Sequence, residues 1–429
     1  MKKRILAMTL AAAVTVGMMS ASLVSAADLS ADNLDYSADE GEIYMFVSSP
    51  EYADAIAELI DAYKEVAPNV TINYETTQND YPTLLKAKIN SGEVPDIFAS
   101  AGGMEIDLYK EYSENIAGTS IDDALTEGAR KIASDSEGNV YGTCIKDTYL
   151  GMLYNEDIFT EVGIEVPATI DELEAACQAI EEAGYQAFST GYAEWWIFKQ
   201  SAEFFLSAAA ENAGLSCSEL VESIKSGETH ISDYPELYDN YFKFVDLTVE
   251  YGDDKPLEVD LAGQLAALAT GEAAMILGQG DWDTADLYAI NPDLNVGITG
   301  YPVSSDAAQA QIATNPNPVI TVYNESPVKE QALHFLNWWV NSEYGKSWFT
   351  DVANVAAPIQ GAKESENIIV VKGLESAAEK GVANAAAAYS TDSFHQAFGE
   401  LMQAYVAGTA DKDTTCAAIE EQWAVIDGQ

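Results

Sequence analysis

Trp282 stands between Asp281 and Asp283, just past the apolar run Ala273–Leu277 and the glycines Gly278 and Gly280. A flat indole face packs against the C–H surface of a sugar ring, and planar acceptors take its hydroxyl protons. The trio can therefore hold a polyhydroxylated ring; the alternative is an ordinary core tryptophan. A second group follows the run Tyr185–Ser189: Tyr192, Glu194 and the adjacent pair Trp195 and Trp196. Of two neighbouring tryptophans, one can face a cleft and the other the core.

No pattern for covalent or hydrolytic chemistry accompanies these groups. His230, His334 and His395 are far apart and none lies in HExxH, which leaves a zinc hydrolase without support. GxSxG, GxxxxGK[ST] and GxGxxG are absent. Asp281, Asp283 and Asp286 lack the glycine and terminal glutamate of a calcium loop. Acidic residues number 70, so a glycosidase-like carboxylate pair could always be nominated and carries no weight. The expectation is a binding protein without catalytic residues, metal or cofactor.

The chain opens with Lys2, Lys3 and Arg4, an apolar run from Ile5 to about Met19, and the small residues Val24, Ser25 and Ala26. This pattern predicts a cleaved signal peptide over residues 1–26, too short in its apolar part to span a bilayer as an anchor. No cysteine stands at the expected cleavage point, the first being Cys144, which predicts an unlipidated, extracytoplasmic protein in a periplasm or at a cell surface. The remaining ~400 residues exceed what one core serves and predict two lobes. A net charge of −50 repels phosphate backbones and anionic lipid, excluding nucleic-acid and membrane-surface roles. With 48% hydrophobic residues, the acidity does not mean disorder. The four cysteines lack CxxC spacing and read as buried thiols, with a Cys177–Cys217 bridge as the alternative.

Periodicity supplies the elements that must position the candidate groups. Residues 27–40 read as a polar, flexible segment. Ile43–Val47 reads as a strand, Ile56, Leu59, Ile60 and Tyr63 as one helix face, Val70–Tyr74 as a strand, Tyr81, Leu84, Leu85 and Ile89 as a second helix face, and Asp96–Ser100 as a third strand. This β-α-β-α-β order predicts a parallel sheet with a ligand site at the carboxyl ends of its strands. Ser48, Ser49, Gln78, Asp80, Gly102 and Gly103 lie in the loops at those ends, with plain turn formation as the alternative for the glycines. Further on, Ile170 to Ile180 and Leu237 to Thr248 read as helices, Tyr185–Ser189 and Ala273–Leu277 as strands. Ala332–Val340 and Phe394–Tyr405 read as buried helices.

Four stretches carry a resemblance. They are YPTLLKAKINSGEVPDIF (Tyr81–Phe98), YGTCIKDTYLGMLYNEDIFTEVGIEVPATIDEL (Tyr141–Leu173), ATGEAAMILGQGDW (Ala269–Trp282) and KEQALHFLNWWVNSEYGKSWF (Lys329–Phe349). In this order, the chain resembles the extracellular solute-binding proteins of ABC importers, in the sugar-uptake branch related to maltose-binding protein.

The resemblance implies an α/β fold of two lobes, the type II periplasmic-binding-protein fold, with a ligand cleft between lobes and hinge crossovers. It implies lobe 1 over 41–146 and 317–366, and lobe 2 over 147–316 and 367–429. Asp147, Thr148 and Tyr149 fall at the first crossover, where family members contact ligand, with capping of local backbone as the alternative for Asp147. Asn354, Phe394 and His395 match ligand-near positions more loosely. The implied partners are a neutral mono- or oligosaccharide and the permease subunits of an importer, served by a monomer. Two rivals stay open: the same fold binding a cationic solute such as a polyamine, and a secreted carbohydrate-active enzyme or adhesin.

Overall fold

The computed structural model describes residues 29–77, 79–383 and 390–426. The expected signal peptide and Gln78 lie outside the described residues. Strands among them are β1 (Glu40–Val47), β2 (Asn69–Thr76), β3 (Ile97–Ser100), β4 (Thr143–Lys146), β5 (Tyr149–Asn155), β6 (Gln186–Ser189), β7 (Ala273–Gly280), β8 (Val296–Thr299), β9 (Ile312–Thr314), β10 (Asn317–Val322) and β11 (Val382–Ala383).

One sheet runs β2-β1-β3-β10-β4. Its pattern follows the sequence: Val70 and Ile72 alternate inward on β2, and the helix Ala53–Tyr63 buries Ile56, Leu59, Ile60 and Tyr63 against it. β1 pairs in parallel with β2 and β3, but β10 is antiparallel to both β3 and β4. The sheet is therefore mixed rather than wholly parallel. β1, β3 and β4 run toward one edge of the sheet, whereas β10 starts at that edge after the chain returns, and so runs the opposite way.

The second sheet runs β11-β9-β5-β7-β6, with β8 on β5. β7 is buried along its full length and extends past Leu277 to Gly280. Each sheet and its helices have their own apolar core, so the molecule is two α/β lobes, and Trp282 packs against the core of each. The helix Lys329–Asn341, predicted as buried, fills the first core with Leu333, Phe335, Leu336 and Trp339. No helix among the described residues is long and apolar enough to cross a membrane. Cys144, Cys177, Cys217 and Cys416 are buried and free.

The start of the chain differs from expectation. Residues 29–39 are mostly exposed but are anchored to the first lobe at a few points. Tyr36 is buried and stacks on His334 at 4.2 Å, the Asp39 carboxylate lies 2.7 Å from the His334 ring nitrogen, and Asn337 donates to both Ser30 O and Tyr36 Oη. A polar composition hid these anchors because each partner is some 300 residues away in the chain.

Among the described residues the chain passes from the first sheet to the second between β4 and β5, back between β9 and β10, and a third time between Asn354 and Asn367, after which Ile369 and Val370 pack with β5 of the second sheet. Asp147 N donates to Ala356 O (2.8 Å) and Asn315 N to Thr148 O (3.2 Å). The Asn367 amide ties the third crossing: Nδ2 donates to Asp281 O (2.9 Å) and Asn354 O (2.8 Å), and Oδ1 accepts from Thr284 Oγ1 and Ile369 N.

Candidate binding cleft

Between the lobes lies a cleft of about 400 Å³, within the ~300–1,000 Å³ of small-ligand sites. The strand ends build it. Ser48 and Ser49 follow β1, Ser100 ends β3, Lys146 ends β4, and Thr148 stands just before β5. Trp282 and Asp283 follow β7. The helix Trp195–Ala213 contributes Trp196, Lys199, Gln200 and Glu203, one continuous face at helical spacing.

Of the candidates named from sequence, Trp282, Asp283, Trp196, Glu194, Thr148, Ser48, Ser49 and His395 line this cleft. The others sit elsewhere. Tyr192 is fully buried, stacked on Phe198 at 4.2 Å, with its hydroxyl on Thr248. Trp195 turns under the helix Asp392–Val406, where its backbone meets Gly399 so closely that a Cβ there would lie 2.3 Å from Trp195 O. Asp281 points into the hinge, its Oδ1 accepting from Tyr149 N at 2.7 Å. Tyr149 belongs to the third apolar cluster and packs on Gly373.

Asp147 joins the hinge through its backbone. Asp80 precedes the helix Tyr81–Ser91 and accepts from Leu84 N through its carbonyl. Gly102 and Gly103 are turn formers with φ of 79° and 55°, and at Gly102 a Cβ would lie 2.8 Å from Ile132. Asn354, at φ 54°, is a hinge residue whose carbonyl is held by Asn367. Phe394 stacks on Trp423 at 4.7 Å in a separate apolar cavity of the second lobe.

Sequence reasoning missed Glu51, Gln200, Glu203, Asn315, Asn317 and Asp392. The helical spacing of Trp196, Gln200 and Glu203 was a usable signal, since a residue at the cleft brings its i+4 and i+7 neighbours with it.

The cleft is electrically mixed. Lys146 is buried, donates to Tyr52 Oη at 3.2 Å, and sits over the rings of Tyr52 (5.0 Å) and Trp282 (4.4 Å), with Glu51 at 4.0 Å. Burial raises the Glu51 and Asp283 carboxyls, and the Lys146 charge works against that rise. Lys199 pairs with Asp392 at 3.3 Å, and Asp392 also meets His395 at 3.3 Å. Among the described residues that line the cleft, two buried donors find no partner in the protein: the Trp196 indole N–H and the Thr148 hydroxyl. A buried polar group left unpaired costs ~1–3 kcal/mol, so both are poised for an acceptor entering the cleft.

A family model for bacterial extracellular solute-binding proteins matches residues 58–375, most of the chain. The chain belongs to the bacterial extracellular solute-binding proteins. Among relatives of this solute-binding protein, the melibiose/raffinose/stachyose-binding protein MelE of Bacillus subtilis (strain 168) is 25% identical over 140 residues, 33% of either chain. The match thus spans about a third of MelE. The multiple sugar-binding protein of Streptococcus mutans serotype c is 21% identical over 344 residues, 77% of this chain and 78% of that one. The structure of a sugar transporter from Bacillus licheniformis in complex with stachyose superposes with a TM-score of 0.76 at 18% identity, covering 90% of this chain and all of the other. That likeness is one of fold: the two-lobed architecture of the solute-binding proteins.

Proposed function

We propose that this solute-binding protein captures a neutral mono- or oligosaccharide in the cleft and delivers it to the permease subunits of an ABC importer. The observation that carries the reading is the pairing, in one cleft, of the aromatic side chains Trp282 and Trp196 with the unpartnered Trp196 N–H and Thr148 hydroxyl. Aromatic faces meet the C–H surfaces of sugar rings, and buried donors without partners suit ring hydroxyls. The relatives support the class, since MelE is described as binding melibiose, raffinose and stachyose. An acidic sugar would call for a free cationic fork, but Lys199 is engaged by Asp392 and Lys146 lies between two rings.

In this reading Trp282, Asp283, Trp196, Glu194, Thr148, Ser48, Ser49 and His395 contact the ligand. The lobes comprise 41–146 with 317–366, and 147–316 with 367–429. Solute binds to one lobe, closure adds the contacts of the other, and the population shifts to the closed form that the permease reads. The protein acts as an exported, non-catalytic monomer.

A thermal-shift screen of residues 27–429 against melibiose, raffinose and stachyose, with amino acids and polyamines as controls, tests it. Ligand at about 100 times its Kd should stabilise the fold by ~2.7 kcal/mol. A response to polyamine alone, or to none of these, would overturn the saccharide reading.

A further inference from the structure

Glu105 belongs to the first lobe, at the start of the helix Met104–Tyr109, and its carboxylate is almost wholly buried. One oxygen accepts from Ala101 N of its own lobe at 2.9 Å. The other accepts from Asp392 N at 2.8 Å, and Asp392 is the first residue of the second-lobe helix Asp392–Val406. The first N–H groups of a helix have no partner inside it, and its amino end favours negative charge. Helices normally satisfy these groups from their own flanking residues, and Thr391 does so here for Phe394 N. The Asp392 N–H is instead capped from the opposite lobe.

The same helix carries the charge cluster of the cleft wall, because Asp392 holds Lys199 and His395 through its side chain. At the cleft mouth a second bond joins the lobes, Asn79 Nδ2 donating to Glu194 Oε2 at 2.8 Å. That bond links two exposed side chains and is the weaker constraint. Glu105 is buried, receives a donor from each lobe and lies on a short, packed helix.

We propose that Glu105 is a positioning residue for solute capture, a cap supplied by one lobe to a helix of the other that holds the cleft shut. Opening the lobes strips the Asp392 N–H of this acceptor and exposes a carboxylate that keeps only Ala101. Capture then includes a term independent of any ligand contact. This inference rests on the reading that the lobes close over a solute.

The test uses the full mature chain with spin labels on Leu84→Cys and Val425→Cys, exposed positions on opposite lobes. The four native thiols are buried and stay unlabelled. Interlobe distances are measured with and without stachyose, and stachyose release is followed by tryptophan fluorescence. Glu105→Ala should add a longer interlobe distance and speed release by about tenfold, the scale of one charge-assisted hydrogen bond. Glu105→Gln, which keeps the shape and one acceptor, should fall between it and the parent. Asp392→Ala keeps the N–H and Asp392→Pro removes it at a first-turn position where proline fits. Glu105→Ala should therefore widen the distances of the Asp392→Ala protein and leave those of the Asp392→Pro protein unchanged. Unaltered distances in Glu105→Ala overturn the proposal. If the parent protein ignores stachyose as well as melibiose and raffinose, the saccharide reading fails while the distances still decide whether the cap holds the lobes.

Discussion

The ammonium of Lys146 lies 4.4 Å from the centre of the Trp282 ring, and the two residues belong to different lobes. Lys146 ends β4 of the first sheet and Trp282 follows β7 of the second. The indole thus meets the opposite lobe through a cation, and both side chains line the cleft.

Trp282→Ala should weaken binding of whichever saccharide the thermal-shift screen returns ten- to a hundredfold, matching the ~1.5–3 kcal/mol of a fully buried large apolar side chain. Lys146→Met keeps the stem and removes the charge, so it should cost the cation–π part, ~0.5–2 kcal/mol, together with the hydrogen bond to Tyr52 Oη and the counter-charge to Glu51. Titration calorimetry reads both. An unchanged Kd in Trp282→Ala removes that residue from the site.

Gly280 is needed for its missing side chain. A Cβ there would stand 2.3 Å from Tyr149 O and 2.6 Å from the Trp282 ring. Gly280→Ala should therefore destabilise the protein by ~1–3 kcal/mol and weaken binding by displacing the indole. Denaturant unfolding beside calorimetry separates the two effects; a variant with parental stability would mean the strand end yields freely.

Asn367 holds the third crossing through donors and acceptors from three segments. Asn367→Ala should lower stability by ~2–4 kcal/mol, several buried groups losing partners together. Thermal unfolding is the check, and a loss below the cost of one hydrogen bond would show that the other crossings suffice.

Burial, then the nearby Asp281 carboxylate, pushes Asp147 up to about 6, and one of its oxygens has no partner. The unfolded value is about 3.9, so the folded state holds this proton more tightly. The contribution therefore favours the fold in acid and is lost as pH rises from about 4 to 6. Asp147→Asn should raise the melting temperature by a few degrees near pH ~7.5 and leave it unchanged near pH ~4. Equal shifts at both values would mean the carboxyl is not strained at neutral pH. Glu105, at about 7 through burial and then Asp392, with Lys199 opposing, adds a similar slope between about 4 and 7.

Much of this molecule was legible in its residues, and the gaps have a common cause. β1, β2 and the helix Ala53–Tyr63 follow from apolar spacing, because a period fixes which face is buried. Trp282 and Asp283 at the end of β7 were likewise readable from an apolar run ending in glycine and aspartate. Spacing does not tell a cleft from a hinge: Asp281 and Asp283 flank one tryptophan, yet one holds Tyr149 N in the hinge while the other lines the cleft. Tyr192 looked like a ring for ligand, but the long-range partners Phe198 and Thr248 claim it for the core. Asp392 escaped notice because its role exists only once two lobes face each other.

The order β2-β1-β3-β10-β4 also sets a schedule for synthesis. In the first sheet β4 has β10 as its neighbour, and β10 is made only after most of the second lobe. The first sheet thus stays incomplete while the ribosome is still at work. Closing so distant a pairing is slow, so the pairing of β10 with β3 and β4 is the step of this fold that waits longest on the rest of the chain.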